Sequence, residues 1–501
     1  MTLAIQQRST PSSQLFIFGL CLCFRFFNAY LTRTYDNPDE YWQGQEVAHH
    51  MVFGYGYLTW EWREKIRSFA HPMTLGLIYK LIQMAGLEHT QLLVAAPRYF
   101  QATLAAWADM CTFTLAKKIF GNSIALPMLF TTLCSWFNFL MAARTLSNSM
   151  EMVFTIVALN YWPLPGVVNF GERSWLKRYR ISLVLASIAC VMRPTNGLIW
   201  LFLGLDLIRA AKNNRIKVIF NAGITCSLIL LANAVLDTRL YNTSWDFDQL
   251  IFTPFLFFKV NVVNNISLFY GVHTWHWYLS QGIPVIFTTF LPLLAYGSWC
   301  IYNDKIVYPR CKSLLYLSLW VIIIYSLLPH KEFRFLFPLV PILLMVAAFG
   351  LQRTGTRWRK RILCFLVLTQ MPLALYLSLW HQRGVMDVML WLRTQPVKSL
   401  GVLMPCHSTP WASVLHQDLP MWFLTCEPPL NETSVDEADM FYKDPVAYLD
   451  RLNDWPSHLV MFEQLHLDEY LEAKGYKECK RFFNSHFHDD ARRKGDVLVM
   501  C

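Results

Sequence analysis

Residues 15–31 read LFIFGLCLCFRFFNAYL, an apolar run interrupted by a single charge, Arg25. A helix needs about 20 mostly apolar residues to cross a lipid bilayer, and this run comes close to that length. No small-residue cleavage site stands before the polar loop that follows, so we interpret the run as a retained signal-anchor helix. The sequence therefore predicts a short cytosolic segment, residues 1–13, followed by a first membrane-spanning helix.

The composition of the whole chain supports this fold class. Of the 501 residues, 54% are hydrophobic and only 16% are charged, whereas about 25% of the residues in an average soluble protein are charged. These values exclude a large soluble enzyme and the disordered, coiled-coil and small disulfide-scaffold classes. We predict an α-helical polytopic membrane protein with about 11–13 transmembrane helices. The further apolar runs are 69–88, 91–116, 122–142, 150–168, 181–208, 218–236, 284–301, 313–329, 335–352 and 362–380.

Two of these runs contain residues that interrupt a straight membrane helix. One contains Pro97 and Asp109, and the other contains Arg193 followed by Pro194. Proline removes a helical hydrogen bond, and a charge at membrane depth is tolerated only inside protein or beside a cavity. We therefore predict a broken helix or a hairpin at both places. Arg193 is also a candidate functional residue because of its depth.

The distribution of charge predicts which loops share one side of the membrane. The net charge is +10, from 44 Lys and Arg against 34 Asp and Glu. The basic residues cluster in short segments between apolar runs, which indicates contact with the cytosolic face and not with nucleic acid. The segments left for the opposite, lumenal face are 33–68, 143–149, 237–283, 330–334 and the chain after residue 381.

Three N-glycosylation acceptor triplets provide an independent check on this orientation. They begin at Asn242, Asn265 and Asn431. Such triplets are used only on the lumenal side of a membrane. All three lie in segments that the charge distribution assigns to that side, which supports the predicted orientation.

The chain after residue 381 is polar and contains no run long enough to span a membrane. Short apolar stretches between polar segments predict a small α/β domain, so we divide the chain into a membrane module, 14–381, and a C-terminal lumenal domain, 382–501. Cys406 and Cys426 lie in this domain, and an oxidising compartment allows them to form a disulfide. Two unpaired thiols remain the alternative, because sequence spacing does not set the distance between them.

The first lumenal loop is rich in carboxylates and aromatic rings, as carbohydrate sites are. Asp39 and Glu40 follow Pro38, which stiffens the backbone that carries them. A carboxylate can accept a hydroxyl proton, and aromatic faces stack on sugar rings. We take Asp39 and Glu40 as candidate catalytic residues; the alternative is that they only solvate a loop. The candidate sugar-binding residues are Tyr41, Trp42, Gln43, Trp60 and Trp62.

A second motif, HKEFRF at residues 330–335, forms a short turn between two apolar runs. His330, Lys331 and Arg334 are three groups capable of positive charge, and such a cluster is suited to bind a phosphate. The alternative is that the basic side chains only extend from helix ends toward water. We favour a phosphate site formed by these three residues, because basic clusters are disfavoured on the lumenal face.

The loop motif NPDEYWQ, residues 37–43, and the turn motif together resemble the dolichol-phosphate-mannose-dependent mannosyltransferases of glycosylphosphatidylinositol (GPI) and N-glycan assembly, glycosyltransferase family 22. These enzymes have the GT-C architecture. Within the family, the resemblance is closest to the branch that adds the third mannose of the GPI precursor in an α-1,2 linkage. It runs from about residue 14 to the end, and its tail carries the specific motifs MPCHSTP, residues 404–410, and DEAD, residues 436–439.

The resemblance implies an inverting transfer on the lumenal face of the endoplasmic reticulum membrane. It implies that Asp39, or alternatively Glu40, is the base, and that His330, Lys331, Arg334 and Arg193 meet the donor phosphate. The substrates would be dolichol-phosphate-mannose and a GPI precursor glycolipid held in membrane lipid. Neither a metal nor another cofactor is expected, since such enzymes generally use none.

Three other functions are consistent with parts of the pattern. A sibling mannosyltransferase of dolichol-linked oligosaccharide (N-glycan) assembly would share the base and the donor but differ in acceptor. A lipid transporter or scramblase predicts internal repeats and paired charges at the bilayer midplane, and we find no convincing repeat. A non-catalytic subunit of a larger transferase would keep the helices but tolerate substitution of both loop acids.

Overall fold

The computed structural model describes residues 11–172, 174–242, 250–428 and 436–501. Up to residue 381 these residues form helices and connecting loops, as the apolar runs predict. The α-helices of this part are α1 (Pro11–Leu31), α2 (Glu46–Phe53), α3 (Trp60–Arg63), α4 (Ala70–Met84), α5 (Leu92–Phe120), α6 (Ala125–Cys134), α7 (Trp136–Ala142), α8 (Ser147–Tyr161), α9 (Ser174–Met192), α10 (Gly197–Ala210), α11 (Arg215–Tyr241), α12 (Thr253–Phe258), α13 (Ile283–Phe287), α14 (Leu291–Asn303), α15 (Tyr308–Leu327), α16 (Val340–Arg353) and α17 (Thr356–Leu379).

Six helical segments among the described residues are long and apolar enough to cross a membrane by themselves. The helices at the remaining predicted runs are shorter or carry charged residues, so the 11–13 crossings expected exceed the number that length and composition alone support. The six segments are Ser13–Leu31, Lys212–Tyr241, Tyr278–Asn303, Tyr308–Leu327, Phe333–Arg353 and Thr356–Leu392, and the bent pair α6 and α7 makes a seventh if it is one span.

Breaks in the helices differ in part from the expected positions. The run 181–208 is broken as predicted, by a turn at Pro194–Asn196 between α9 and α10. The break predicted in the run 91–116 is wrong, because α5 continues through Pro97, which lies close to the helix start. The run 122–142, predicted as one span, bends by 65° between α6 and α7, where Ser135 caps the second helix.

A buried ion pair explains why the charges in α1 and α5 are compatible with membrane depth. Arg25 is fully buried, and its Nε and Nη2 donate to the two carboxylate oxygens of Asp109 at 2.6 and 3.0 Å. Its Nη1 donates to Asn28 and to the carbonyl of Asn138. Each charge is therefore satisfied by protein and not exposed to lipid.

Two glycines allow α14 and α16 to pack backbone to backbone. A Cβ on Gly297 of α14 would lie 2.1 Å from the carbonyl oxygen of Val346 in α16, and one on Gly350 would lie 2.4 Å from that of Leu293. Small residues allow membrane helices to approach backbone to backbone. The packing of α14 against α16 therefore requires glycine at both positions.

The C-terminal region is a small α/β fold, as predicted. Its five-stranded sheet has the order β2-β1-β3-β5-β4; β1 is parallel to β2 and β3, and β5 is antiparallel to β3 and β4. The strands are β1 (Leu400–Leu403), β2 (Met421–Phe423), β3 (His458–Phe462), β4 (Glu478–Phe482) and β5 (Val497–Met500), and the helices are α18 (Gly384–Leu392), α19 (Ala412–Leu415), α20 (Glu437–Lys443), α21 (Pro445–Leu449) and α22 (Asp468–Ala473).

This domain docks onto the loop after α1 through buried polar contacts. The hydroxyl of Tyr35 donates to the carbonyl of His407 at 2.6 Å, and Nε1 of Trp42 donates to that of Thr409 at 3.0 Å. Glu46 is fully buried and accepts from the backbone N–H of Trp411 at 2.8 Å, as well as from the backbone and hydroxyl of Ser413. The C-terminal domain therefore packs directly against the segment that follows α1.

Two disulfides lie in the C-terminal domain. Cys406 and Cys426 are joined, with their Cα atoms 5.7 Å apart, and a bond between Cys479 and Cys501 ties the end of the chain to β4. The second bond was not among the sequence-based candidates. The free cysteines among the described residues all lie in the helices of the membrane part: Cys21, Cys23, Cys111, Cys134, Cys190, Cys226, Cys300, Cys311 and Cys364.

Substitution of Asp109 by Leu is expected to destabilise the protein, because it leaves Arg25 buried without a counter-charge. Breaking a buried pair on one side costs about 3–5 kcal/mol, whereas replacing both partners by apolar residues is often neutral. Thermal unfolding of the detergent-solubilised protein measures this effect. The double variant Arg25→Met/Asp109→Leu should unfold closer to the wild type than Asp109→Leu does, and an equal midpoint for the single variant and the wild type would contradict the argument.

The docking of the C-terminal domain is expected to weaken as the pH rises. Burial raises the pKa of Glu46 from 4.5 to about 7. Between these values the folded carboxyl holds a proton that the unfolded one has released, so stability falls as the pH rises through this window. The thermal midpoint, measured between pH 4.5 and 7, should therefore depend less on pH in Glu46→Gln than in the wild type. Identical pH dependence in the two proteins would refute the assignment.

Candidate active site

The loop after α1 turns sharply at Pro38 and directs two adjacent acids to different environments. The backbone N–H of Asp39 donates to the side-chain oxygen of Asn37 at 3.0 Å, and the N–H of Tyr41 donates to the carbonyl of Pro38 at 3.0 Å. The helical segment Tyr41–Gln45 starts at once and fixes the direction of the chain. As a result, Asp39 lines a cavity, whereas Glu40 is fully buried.

Asp39 contacts the turn that precedes α16. Its Oδ2 lies 2.7 Å from Nη1 of Arg334, which also donates to the side-chain oxygen of Asn37 at 2.8 Å. Nη2 of the same guanidinium donates to Glu332 at 2.6 Å. The two motifs singled out in the sequence therefore meet directly, and Arg334 holds Asp39 in a fixed orientation.

Glu40 takes part in a different network. Arg144 donates to Glu40 at 2.9 Å and to the carbonyl and hydroxyl of Thr34, and both charged side chains are fully buried. The backbone N–H of Thr145 also points at Glu40, at 3.3 Å. These contacts join the first loop to the segment between α7 and α8, so Glu40 is suited to positioning the loop and not to contacting a substrate.

The cavity has a volume of about 770 Å³ and lies where three parts of the chain meet. The first loop provides Asp39 and the residues that follow it. The segment 257–273 and the turn at 328–335 provide a second wall, and the C-terminal domain provides a third. The lining from that domain is Pro405, Cys406, His407, Cys426, Asp436, Ala438, Asp439, Arg492 and Arg493.

The predicted phosphate-binding cations all line this cavity, and they already have partners within the protein. Arg334 is shared between two carboxylates, as described above. Lys331 is 2% exposed, and its ammonium group donates to the backbone carbonyls of Leu328 and His273. Arg193 pairs with Glu151 at 3.5 Å and donates to the side chains at the start of α8.

The charged groups of the turn before α16 shift one another's pKa values. Burial disfavours ionisation of Glu332, but Arg334 and His330 outweigh it and hold the pKa of Glu332 well below its usual range. Burial likewise lowers the pKa of His330, whereas its hydrogen bond to Glu332, at 3.2 Å, raises the pKa to a value above the ordinary one. His330 thus gains positive charge at the cavity wall.

The guanidinium groups of Arg193 and Arg334 flank one aromatic ring. Their central carbons lie 5.4 and 5.9 Å from the centre of Phe335. Stacking of this kind orients the planar groups while leaving part of their edges open. The two cations therefore form adjacent parts of one positively charged wall.

The predicted sugar-binding residues divide into two groups. Trp42, Gln43 and Trp60 line the cavity. Tyr41 is instead buried against Tyr35, with ring centres 5.4 Å apart, and Trp62 is buried outside the lining. Sequence order alone did not separate these groups, because the helical segment Tyr41–Gln45 turns neighbouring side chains in different directions.

Two further lining residues were not singled out from the sequence. Glu61 accepts from Gln43 at 3.0 Å and lies 3.4 Å from the guanidinium of Arg67, and all three line the cavity. Tyr270 accepts from Nε1 of Trp60 at 2.7 Å. In the sequence, the acidic Glu61 stands close to the basic Arg67 in a loop rich in aromatic residues, and this pattern could have identified Glu61. Tyr270 lies in a long apolar segment that carries no comparable signal.

The glycosylation candidates lie in separate places. Asn242 follows the last residue of α11, Asn265 is exposed at the cavity lining, and Asn431 falls outside the described residues. One group of potential metal ligands occurs among the described residues, Cys406, His407 and Cys426. Its two sulfur atoms form a disulfide, which leaves no thiolate to bind a metal.

Two solved structures share the architecture of this chain. ArnT from Cupriavidus metallidurans bound to undecaprenyl phosphate matches with a TM-score of 0.58 at 12% identity, over 98% of both chains. An Archaeoglobus fulgidus oligosaccharyltransferase matches with a TM-score of 0.54 at 12% identity, over 89% of this chain and 67% of that one. Both have the GT-C fold, and at this identity the likeness establishes the fold alone.

Sequence comparison extends the likeness to much nearer relatives. GPI mannosyltransferase 3 of Yarrowia lipolytica is 40% identical over 95% of both chains. GPI alpha-1,2-mannosyltransferase 3 of Homo sapiens is 38% identical over 94% of this chain and 84% of its own. The model of the Alg9-like mannosyltransferase family matches residues 16–416, which include both the first loop and the turn before α16. The chain belongs to the Alg9-like mannosyltransferase family.

Proposed function

We propose that this protein is an inverting α-1,2-mannosyltransferase of GPI-anchor biosynthesis. It transfers the third mannose from dolichol-phosphate-mannose to the two-mannose precursor, Man2-GlcN-(acyl)PI. The observation that carries the proposal is the contact of Asp39 with Arg334, at 2.7 Å, in a cavity shared by the two motifs. The names of relatives that match nearly the whole chain at 38–40% identity support the choice of acceptor.

Asp39 is the base in this reaction. The donor is a β-linked mannosyl phosphate and the product linkage is α, so the acceptor hydroxyl attacks opposite the departing phosphate. A carboxylate on the attacking side takes the hydroxyl proton as the new bond forms. Asp39 lines the cavity and is oriented by Arg334, whereas Glu40 is sequestered by Arg144.

The positively charged wall stabilises the leaving group. A phosphodiester that becomes a monoester gains negative charge, and fixed cations at that position lower the barrier. Arg193 and His330 are the side chains that present positive charge beside Phe335 without holding the base. Lys331 contributes positive charge without contacting the phosphate directly, because its ammonium group donates hydrogen bonds to backbone carbonyl groups.

The membrane context of the site follows from its substrates. Removing a lipid tail from the bilayer costs about 0.8 kcal/mol per CH₂, so both lipid-linked substrates stay in the membrane while their head groups react. Two disulfides confined to the C-terminal domain, and the acceptor triplet at Asn265, support a lumenal location for the domain and the cavity. We therefore assign the protein to the endoplasmic reticulum membrane, with its active site on the lumenal face.

Substitution Asp39→Asn is expected to lower the transfer rate by about 10²- to 10⁴-fold, the usual contribution of a general base. The assay measures mannose transfer from dolichol-phosphate-mannose to the two-mannose precursor in membranes that contain the variant. Its protein level and thermal midpoint should stay near those of the wild type, because asparagine keeps an oxygen acceptor for Arg334, which also retains Glu332 as a counter-charge.

Glu40→Gln is the matched comparison for Asp39→Asn, since it changes the next residue in the same way. We expect it to lower the amount of folded protein by leaving Arg144 buried without its counter-charge. A stable Glu40→Gln protein without activity, together with an active Asp39→Asn protein, would exchange the two assignments.

Mannose transfer is expected to proceed without a divalent metal, because arginine and histidine provide the positive charge at the leaving group. Activity of the purified protein, measured after treatment with EDTA and in metal-free buffer, should equal that of the untreated protein. Loss of activity that returns on addition of Mg²⁺ or Mn²⁺ would contradict this part of the proposal.

A further inference from the structure

Arg493 is a cation of the cavity wall that comes from the C-terminal domain. It ends the short turn Ala491–Arg493, which precedes β5. Its side chain lines the cavity together with Asp39 and Arg334. It lies far along the chain from both motifs that the sequence indicated, and the function assigned above makes no use of it.

The guanidinium of Arg493 makes no hydrogen bond to another group of the described residues. Its Nε is buried without a partner, and among the described residues its side chain makes only an ion-pair contact, 3.7 Å from Asp490. That carboxylate already accepts from the neighbouring Arg492, at 3.0 Å, which donates to Asp439 as well. Arg493 therefore differs from Arg334, Lys331 and Arg193, each of which donates side-chain hydrogen bonds to protein groups among the described residues.

A guanidinium presents five N–H donors in a planar fork that matches a phosphate. A buried donor without an acceptor is costly, and its surroundings normally provide one. Only 22% of the Arg493 side chain is exposed, so water satisfies it incompletely. An anionic group that enters the cavity would supply the missing hydrogen-bond acceptor.

Arg493 shares the cavity lining with Asp39 and with His407, a residue of the same domain. Burial is the main reason why the pKa of His407 falls to about 4. His407 is therefore uncharged near neutral pH and does not compete with Arg493 for an anion. The contacts of Tyr35, Trp42 and Glu46 with the C-terminal domain hold this whole wall in place.

We propose that Arg493 binds a phosphate group of one of the two lipid-linked substrates, so that the C-terminal domain completes the substrate site. This inference rests on the proposed function, which supplies both substrates. The phosphate belongs to the donor, as the dolichyl phosphodiester, or to the acceptor, as its inositol phosphodiester. The chemistry of recognition is the same in both cases: a bidentate hydrogen bond from the guanidinium to two phosphate oxygens.

The test compares Arg493→Gln and Arg493→Lys with the wild type in steady-state mannose transfer, with each substrate varied in turn. Loss of charged hydrogen bonds worth about 1.5–3 kcal/mol predicts a rise in KM of about 10- to 100-fold for the substrate that carries the phosphate in Arg493→Gln. Arg493→Lys keeps the charge but loses the fork, so its KM should lie in between. A rise for the donor identifies the dolichyl phosphate, and a rise for the acceptor identifies the inositol phosphate.

Stability separates binding from a structural role. Removal of donors that have no partner in the free protein should leave the thermal midpoint of Arg493→Gln equal to or above that of the wild type, whereas a structural arginine would lower it. Arg451→Gln is the matched control, because Arg451 is an exposed arginine of the same domain outside the cavity lining. Its KM values should not change.

The outcomes also separate this inference from the function on which it rests. If the wild type transfers mannose but both KM values of Arg493→Gln equal those of the wild type, the phosphate role of Arg493 is overturned and the proposed function stands. If the wild type transfers no mannose between these substrates, the proposed function fails first. A fall in kcat of Arg493→Gln with both KM values unchanged also overturns the inference.

Discussion

The ion pair between Asp39 and Arg334 joins the first loop to the turn before α16, and the organisation of the site depends on it. It brings a carboxylate and a guanidinium from distant parts of the chain to one cavity edge. Asn37 and Glu332 complete the network and fix the orientation of both groups. This contact fixes Asp39 at the cavity edge; in the proposed function it marks the attacking side, and the positively charged wall beside Phe335 marks the side where the phosphate departs.

The buried polar contacts of the first loop explain why this arrangement is rigid. Arg144 of the membrane part donates a hydrogen bond to Glu40, and Glu46 accepts one from the backbone of Trp411 in the C-terminal domain. Asp39 directly precedes the first of these two anchors along the chain. The loop acids thus lie in separate environments: Asp39 lines the cavity, whereas Glu40 and Glu46 are buried and fix the backbone that carries it. Exchange of any of these side chains for an apolar residue would leave a buried partner unsatisfied.

Much of the fold could be predicted from the sequence, because membrane helices and the strands of a mixed sheet each have a characteristic pattern of apolar residues. The apolar runs identified nearly every long helix, and the two short motifs identified Asp39 and Arg334, which meet at the cavity edge. Pro97 was misjudged, because its place near a helix start, and the pairing of the nearby Asp109 with Arg25, depend on tertiary structure. Glu40 and Arg493 show the same limit, since exposure and partner choice depend on segments that lie far away in sequence.

The most direct test of the account is a cryo-electron microscopy structure of the protein with a non-transferable analogue of dolichol-phosphate-mannose. The account predicts that the Asp39 carboxylate faces the anomeric carbon of the sugar from the side opposite the phosphate, with space for one acceptor hydroxyl within about 3 Å of the carboxylate. It also predicts the phosphate at the wall that contains Arg193 and His330. An analogue bound with its phosphate beside Asp39, or with another carboxylate such as Glu61 opposite the phosphate, would contradict it.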